Sequence, residues 1–84
     1  MTGVGFTAEV TDTTWTETDR EGHWATYSFN VSSGNHYSKV FKKGNIQSEN
    51  STGRLELSSD SLFMTEYFDL APGDDLFAFK WMRQ

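Results

Sequence analysis

His23 and His36 are the only imidazoles in the chain, so acid–base or metal chemistry would have to start from them. Neither stands in an H-x-x-x-H or H-E-x-x-H spacing, the patterns that place two ligands on one helix face. If 23–32 and 36–42 pair as a hairpin around Gly34, His23 lies far from the turn and His36 beside it. The two are then roughly 25 Å apart at ~3.3 Å per residue, too far to share a metal. No serine sits in a G-x-S-x-G elbow or an S-x-x-K pattern. Glu17, Asp19 and Glu21 alternate and can point to one side of an extended segment. Three like charges there make a weak cation site or, the preferred reading, a solvated turn. Asp74 and Asp75 are adjacent, diverge on an extended chain, and read as turn residues. No nucleophile–base pair can be assembled, so neither an enzyme nor a bound cofactor or metal is expected.

Binding chemistry is better represented. The stretch Tyr37, Lys39, Phe41, Lys42 and Lys43 interleaves rings with cations. Rings that stack on bases and lysines that neutralise phosphates are the parts of a single-strand nucleic-acid platform. The net charge of −5 opposes that reading, because affinity for a polyanion is dominated by cationic contacts. Lysines that protect a strand edge from aggregation explain the same residues. Trp15, Trp24 and Trp81 offer flat faces for a glycan beside Asn30 and Asn35, although nothing in the sequence brings them together. The richest signal is C-terminal. Phe63, Tyr67, Phe77, Phe79 and Trp81 belong to the side-chain types enriched at the centres of protein interfaces. Lys39, Lys42 and Lys43 supply a basic rim.

The bulk properties set the frame. Eighty-four residues make one domain, 1–84. A chain of this size buries only about 60–65% of its unfolded surface. It contains no cysteine, which removes disulfides, thiolate zinc sites and cysteine nucleophiles together. Seven Phe, three Tyr and three Trp are what remains to build a core. Charge is uneven. Glu9, Asp12, Glu17, Asp19 and Glu21 face only Arg20 in the first quarter, whereas Lys39, Lys42, Lys43 and Arg54 dominate the middle. The final third is acidic again. No apolar run is long enough to span a bilayer, and residues 1–6 lack the basic leader and apolar core of a signal peptide. A cytoplasmic protein is expected. Two glycosylation acceptor patterns, at Asn30 and Asn50, carry no weight in so Ser/Thr-rich a chain.

Period-2 alternation dominates, which indicates half-buried strands. Val4, Phe6, Ala8 and Val10 share one face, and the run continues through Trp15. Residues 19–22 form a turn. Ala25, Tyr27, Phe29 and Val31 share a face of the next strand, Ser33-Gly34-Asn35 turns the chain, and 36–42 returns beside it. Residues 47–53 lack apolar side chains and read as a loop. Strands follow at 54–57, 62–70 and 76–82, the last two joined by a turn at Pro72-Gly73. A helix over 61–70, capped by Asp60 or Ser61, is the alternative. The last two runs are apolar on both faces, so either the sheet closes on itself or a second molecule covers its outer side.

The expectation is therefore an all-β domain, a meander of five or six antiparallel strands closed as a barrel or two-layer sandwich, with α+β as the alternative. Its function is read as non-enzymatic protein binding or assembly: adaptor, inhibitor or self-associating subunit, with a homodimer the simplest case. Single-stranded nucleic-acid binding through Tyr37–Lys43 and glycan binding are the alternatives. No membrane partner is expected.

Overall fold

The computed structural model describes residues 1–69 and 78–83. Eight strands follow one another round a closed antiparallel barrel, each bonded to its sequence neighbours. They are β1 (Thr2–Gly3), β2 (Phe6–Val10), β3 (Thr14–Asp19), β4 (Trp24–Val31), β5 (His36–Gly44), β6 (Ser51–Leu57), β7 (Phe63–Phe68) and β8 (Ala78–Met82). Closure rests on β1, which pairs with β2 on one side and, through Thr2 opposite Met82, with β8 on the other. The all-β class, the antiparallel meander and the closed barrel agree with the sequence reading.

Eight strands replace the expected five or six because the single N-terminal run folds into three. Val4 and Gly5 turn the chain between β1 and β2, leaving Val4 86% exposed. Thr11 then makes a second turn. Its hydroxyl accepts the Thr13 and Thr14 N–H groups and meets the Thr14 hydroxyl at 2.7 Å. Such local bonds let Thr compete with the extended backbone it otherwise favours. The turns expected at 19–22 and 33–35 are present. Gly22 adopts φ +85° and Gly34 φ +75°, conformations that cost glycine little.

Two further corrections concern the C-terminal half. The loop read over 47–53 is shorter, since β6 starts at Ser51. Gly53 is the reason: it is buried against the Tyr67 carbonyl and the Tyr37 ring, where a Cβ would come within 2.9 Å of ring carbon Cε1. The loop was read from the lack of apolar side chains over 47–53, but at Gly53 it is the lack of any side chain that lets this strand pass. The helical alternative over 61–70 gives way to β7, whose residues pair with both β6 and β8. Asp60 caps a turn instead of a helix, accepting the Ser58 hydroxyl at 2.6 Å and the Leu62 N–H at 3.1 Å. The turn read at Pro72-Gly73 lies outside the described residues.

Alternation sorts every strand into an inner and an outer face. Ala8, Trp15, Ala25, Tyr27 and Trp81 form the buried core, with Phe29, Phe41, Met64 and Phe79 packed against it. Trp15, at 0% exposure, is the hub. Its ring lies 5.3 Å from Phe29 and 5.6 Å from Trp81, which in turn lies 4.6 Å from Phe79. Tilted and edge-on ring pairs at these separations add to the area buried.

Candidate functional site

The outer face of β7 carries Phe63, Thr65 and Tyr67, because Met64, Glu66 and Phe68 take the alternate, inward positions. The neighbouring strands place a cation over each outer ring. The Arg54 guanidinium of β6 lies 5.0 Å from the Tyr67 ring centre, and the Lys80 ammonium of β8 lies 4.5 Å from that of Phe63. Arg54 stands opposite Tyr67 in the ladder, and Lys80 sits one step diagonally from Phe63, the reach over which long side chains meet across strands. Met82, opposite Phe63 and about half exposed, extends the apolar surface at one edge. The result is a strip of two aromatic rings and two cations on the outside of β6–β8, with the exposed Glu56 carboxylate 3.7 Å from Arg54.

The inner face holds an ion cluster. Lys39 is 4% exposed and Glu66 1%, and the Lys39 ammonium lies 3.0 Å from Glu66 and 2.8 Å from Glu17. The register makes room for it: Glu17 lies between Ala8 and Ala25, the two smallest inward side chains of β2 and β4. Each carboxylate also accepts indole or phenol donors. Trp15 Nε1 donates to Glu17 at 2.8 Å, while Trp81 Nε1 and the Tyr37 hydroxyl donate to Glu66 at 3.1 and 2.6 Å. The ammonium further faces the Trp15 and Tyr27 rings at 4.4 and 5.0 Å. Burial, and then the bond to Glu66, push the Tyr37 phenol well above its ordinary range, since both disfavour the phenolate. Buried ions persist only when paired and hydrogen-bonded in this way. No buried side-chain N or O atom among the described residues lacks a partner.

These placements divide the residues singled out from sequence. Phe63 and Tyr67 lie together on the outside. Phe79 and Trp81 point inward and support the sheet beneath them, so the four do not form one surface, and Phe77 lies outside the described residues. On β5, Tyr37, Lys39 and Phe41 face the interior, while Lys42 and Lys43 are exposed. A β-bulge between Thr26 and Tyr27 accommodates this change. The basic rim is therefore corrected for Lys39, and a base-stacking platform on this strand loses both of its rings. Trp15 and Trp81 pack against each other inside the barrel and Trp24 lies half-buried on the opposite face of β4, so the three do not form one glycan platform. Arg54, Lys80 and the buried Glu66 were not singled out. A lone charge between two strand residues looks the same in sequence whichever way it points.

The acidic trio separates as well. Glu17 enters the barrel, Glu21 is exposed, and Asp19 closes the turn at 19–22. Asp19 accepts the Glu21 and His23 N–H groups at 2.8 and 2.9 Å and meets His23 Nδ1 at 2.9 Å. Desolvation works to raise this carboxyl, and the bonds from His23 and Glu21 outweigh it, holding it below its ordinary value of 3.8. A depressed folded-state value contributes stability above 3.8 that is lost as pH falls through the folded value. Asp19→Asn is expected to melt lower than the parent at neutral pH and to show a shallower loss of Tm on acidification below 3.8. Parallel acid limbs for the two proteins in a pH series of thermal melts would contradict this.

Among the described residues no helix is long and apolar enough to cross a membrane. No protein-family model, curated protein or solved structure matches the chain.

Proposed function

We propose that this domain is a non-enzymatic protein-binding module whose contact is the outer strip of β6–β8, centred on Phe63 and Tyr67. One observation carries the reading: two aromatic rings share the outer face of one strand, each beneath a cation from a neighbouring strand. Aromatic and Arg side chains on a rigid sheet are the groups that contribute most to interface energy. The internal carboxylates are engaged with Lys39 and with ring donors, which suits a structural role better than acid–base work.

The charge pattern favours a partner other than a second copy. Two copies joined by this strip would bring together two cations from each, Arg54 and Lys80, with only Glu56 of each, already 3.7 Å from Arg54, to offset them, an arrangement in which like charges outnumber unlike ones. A partner with an apolar centre rimmed by carboxylates fits better. A cytoplasmic setting belongs to the same reading, since a cysteine-free barrel needs no oxidising compartment.

The test is capture from a nuclease-treated native lysate by three baits: parent, Phe63→Glu/Tyr67→Glu, and Lys42→Glu/Lys43→Glu. Both double variants alter outward side chains, so each should keep the parent's circular dichroism spectrum. The aromatic variant should lose the captured protein by roughly thirtyfold, as expected for about 2 kcal/mol at an interface centre. The lysine variant should lose little. A folded aromatic variant that retains every partner overturns the proposal. So does binding that disappears with nuclease treatment.

A further inference from the structure

The barrel is open at the end that carries the 11–13 and 58–62 turns. Inward-facing positions there are not covered as they are at mid-barrel: Val10 is 38% and Leu57 63% exposed although both follow the inner parity of their strands. With Ala8, Leu62 and Met64 they line a concavity of about 580 Å³. Its floor is the buried Trp81 ring, fixed by its Nε1 bond to Glu66. The volume falls within the range of small-molecule sites, which combine apolar walls with a few polar groups that orient the ligand.

Two cationic residues border the concavity: Met1, whose ammonium already donates to the Ala8 carbonyl at 2.8 Å, and Arg83, the candidate partner for a ligand. The Arg83 N–H donates to the Leu62 carbonyl at 2.8 Å, which continues the β7–β8 ladder one step past Met82. Arg83 thereby shares the inward parity of Phe79 and Trp81 and borders the concavity. No ion pair to its guanidinium is formed among the described residues. Glu9 also stands on the rim, but it alternates outward between Ala8 and Val10. An apolar cup whose lip carries a guanidinium with no ion pair among the described residues matches an apolar chain ending in a carboxylate.

We propose that this end of the barrel binds an amphipathic monocarboxylate, its aliphatic body over Trp81 and its head group at Arg83. The site is separate from the outer strip, although Phe63 borders both, and it does not depend on the protein-binding reading. Titration of the whole chain with hexanoate, octanoate and decanoate, followed by calorimetry and tryptophan fluorescence, tests it. Binding should saturate at one ligand per chain and tighten about fourfold for each added methylene. Octylamine should bind more weakly than octanoate. Arg83→Gln should weaken octanoate about fivefold, the size of a partly exposed ion pair. Leu57→Arg, at an exposed position, should keep the fold and abolish binding.

Three results overturn the assignment: no saturable binding, octylamine binding as well as octanoate, or an unchanged affinity in Arg83→Gln. A fourth is a concentration-dependent dimer, seen by sedimentation, that Leu57→Arg dissolves while octanoate fails to bind. That result makes a second copy the occupant.

Discussion

Lys39→Met is expected to lower stability by about 3–5 kcal/mol, the loss seen when one partner of a buried charge pair is removed. The methionine fills similar space, so packing accounts for little of the loss. What remains is two carboxylates, Glu17 and Glu66, that shared one ammonium at 2.8 and 3.0 Å and now face each other inside the barrel. For a chain of 84 residues, total stability is about 4–13 kcal/mol. The variant should therefore melt about 12–40 °C lower, or be unfolded at room temperature. The triple variant Lys39→Met/Glu17→Gln/Glu66→Gln separates charge from shape. With no ion left to strand, it should recover most of the lost stability, since an intact buried cluster adds little net over uncharged side chains of similar size. Urea titrations of the three proteins by circular dichroism measure this. If Lys39→Met loses less than about 1 kcal/mol, the ammonium is not desolvated as its 4% exposure implies.

Trp15→Ala should cost a comparable amount, about 3–5 kcal/mol, for a different reason. The indole is fully buried, packs edge-on to Trp81 at 5.6 Å and against Phe29 at 5.3 Å, and holds Glu17 through Nε1. Truncation leaves a cavity at the centre of a small core and also removes a donor from a part-buried carboxylate. Trp15→Phe divides the two contributions. It keeps much of the ring volume and loses the donor, so its cost should be about 1–3 kcal/mol. Equal losses in the Ala and Phe variants would mean that the hydrogen bond, not the packing, makes Trp15 the hub. Because the cluster and the ring share Glu17, the effects of Lys39→Met and Trp15→Ala should not add.

The first prediction rests on residues whose burial the sequence does not reveal. Lys39 reads as one of three surface lysines and Glu66 as a polar break in an apolar run. Each sits at an inward parity, but parity is only informative once a barrel gives it a shared interior. Lys39, Glu17 and Glu66 come from β5, β3 and β7, and their meeting is a property of closure rather than of any local segment. The same is true of the outer strip. Phe63 and Tyr67 stood out in the sequence as candidate contact residues, whereas their cations come from two other strands that only the ladder register brings alongside.

What the sequence determined on its own is what depends on near neighbours. The period-2 pattern placed strands at 23–32, 36–42 and, against a helical alternative, 62–70, within a few residues of β4, β5 and β7, because alternate side chains must point to opposite faces of a pleated chain. The turns at 19–22 and 33–35 were legible because Gly and Asn tolerate backbone angles that other residues resist. The absence of cysteine ruled out covalent staples. Tertiary structure decided the rest. The three-strand division of the first 19 residues depends on threonine hydroxyl bonds and on closure against β8. The strand through Gly53 exists because the Tyr37 ring and the Tyr67 backbone need a position without a side chain. Which charges are buried, and which rings face outward, follows from register, and register depends on the partner strand as much as on the strand itself.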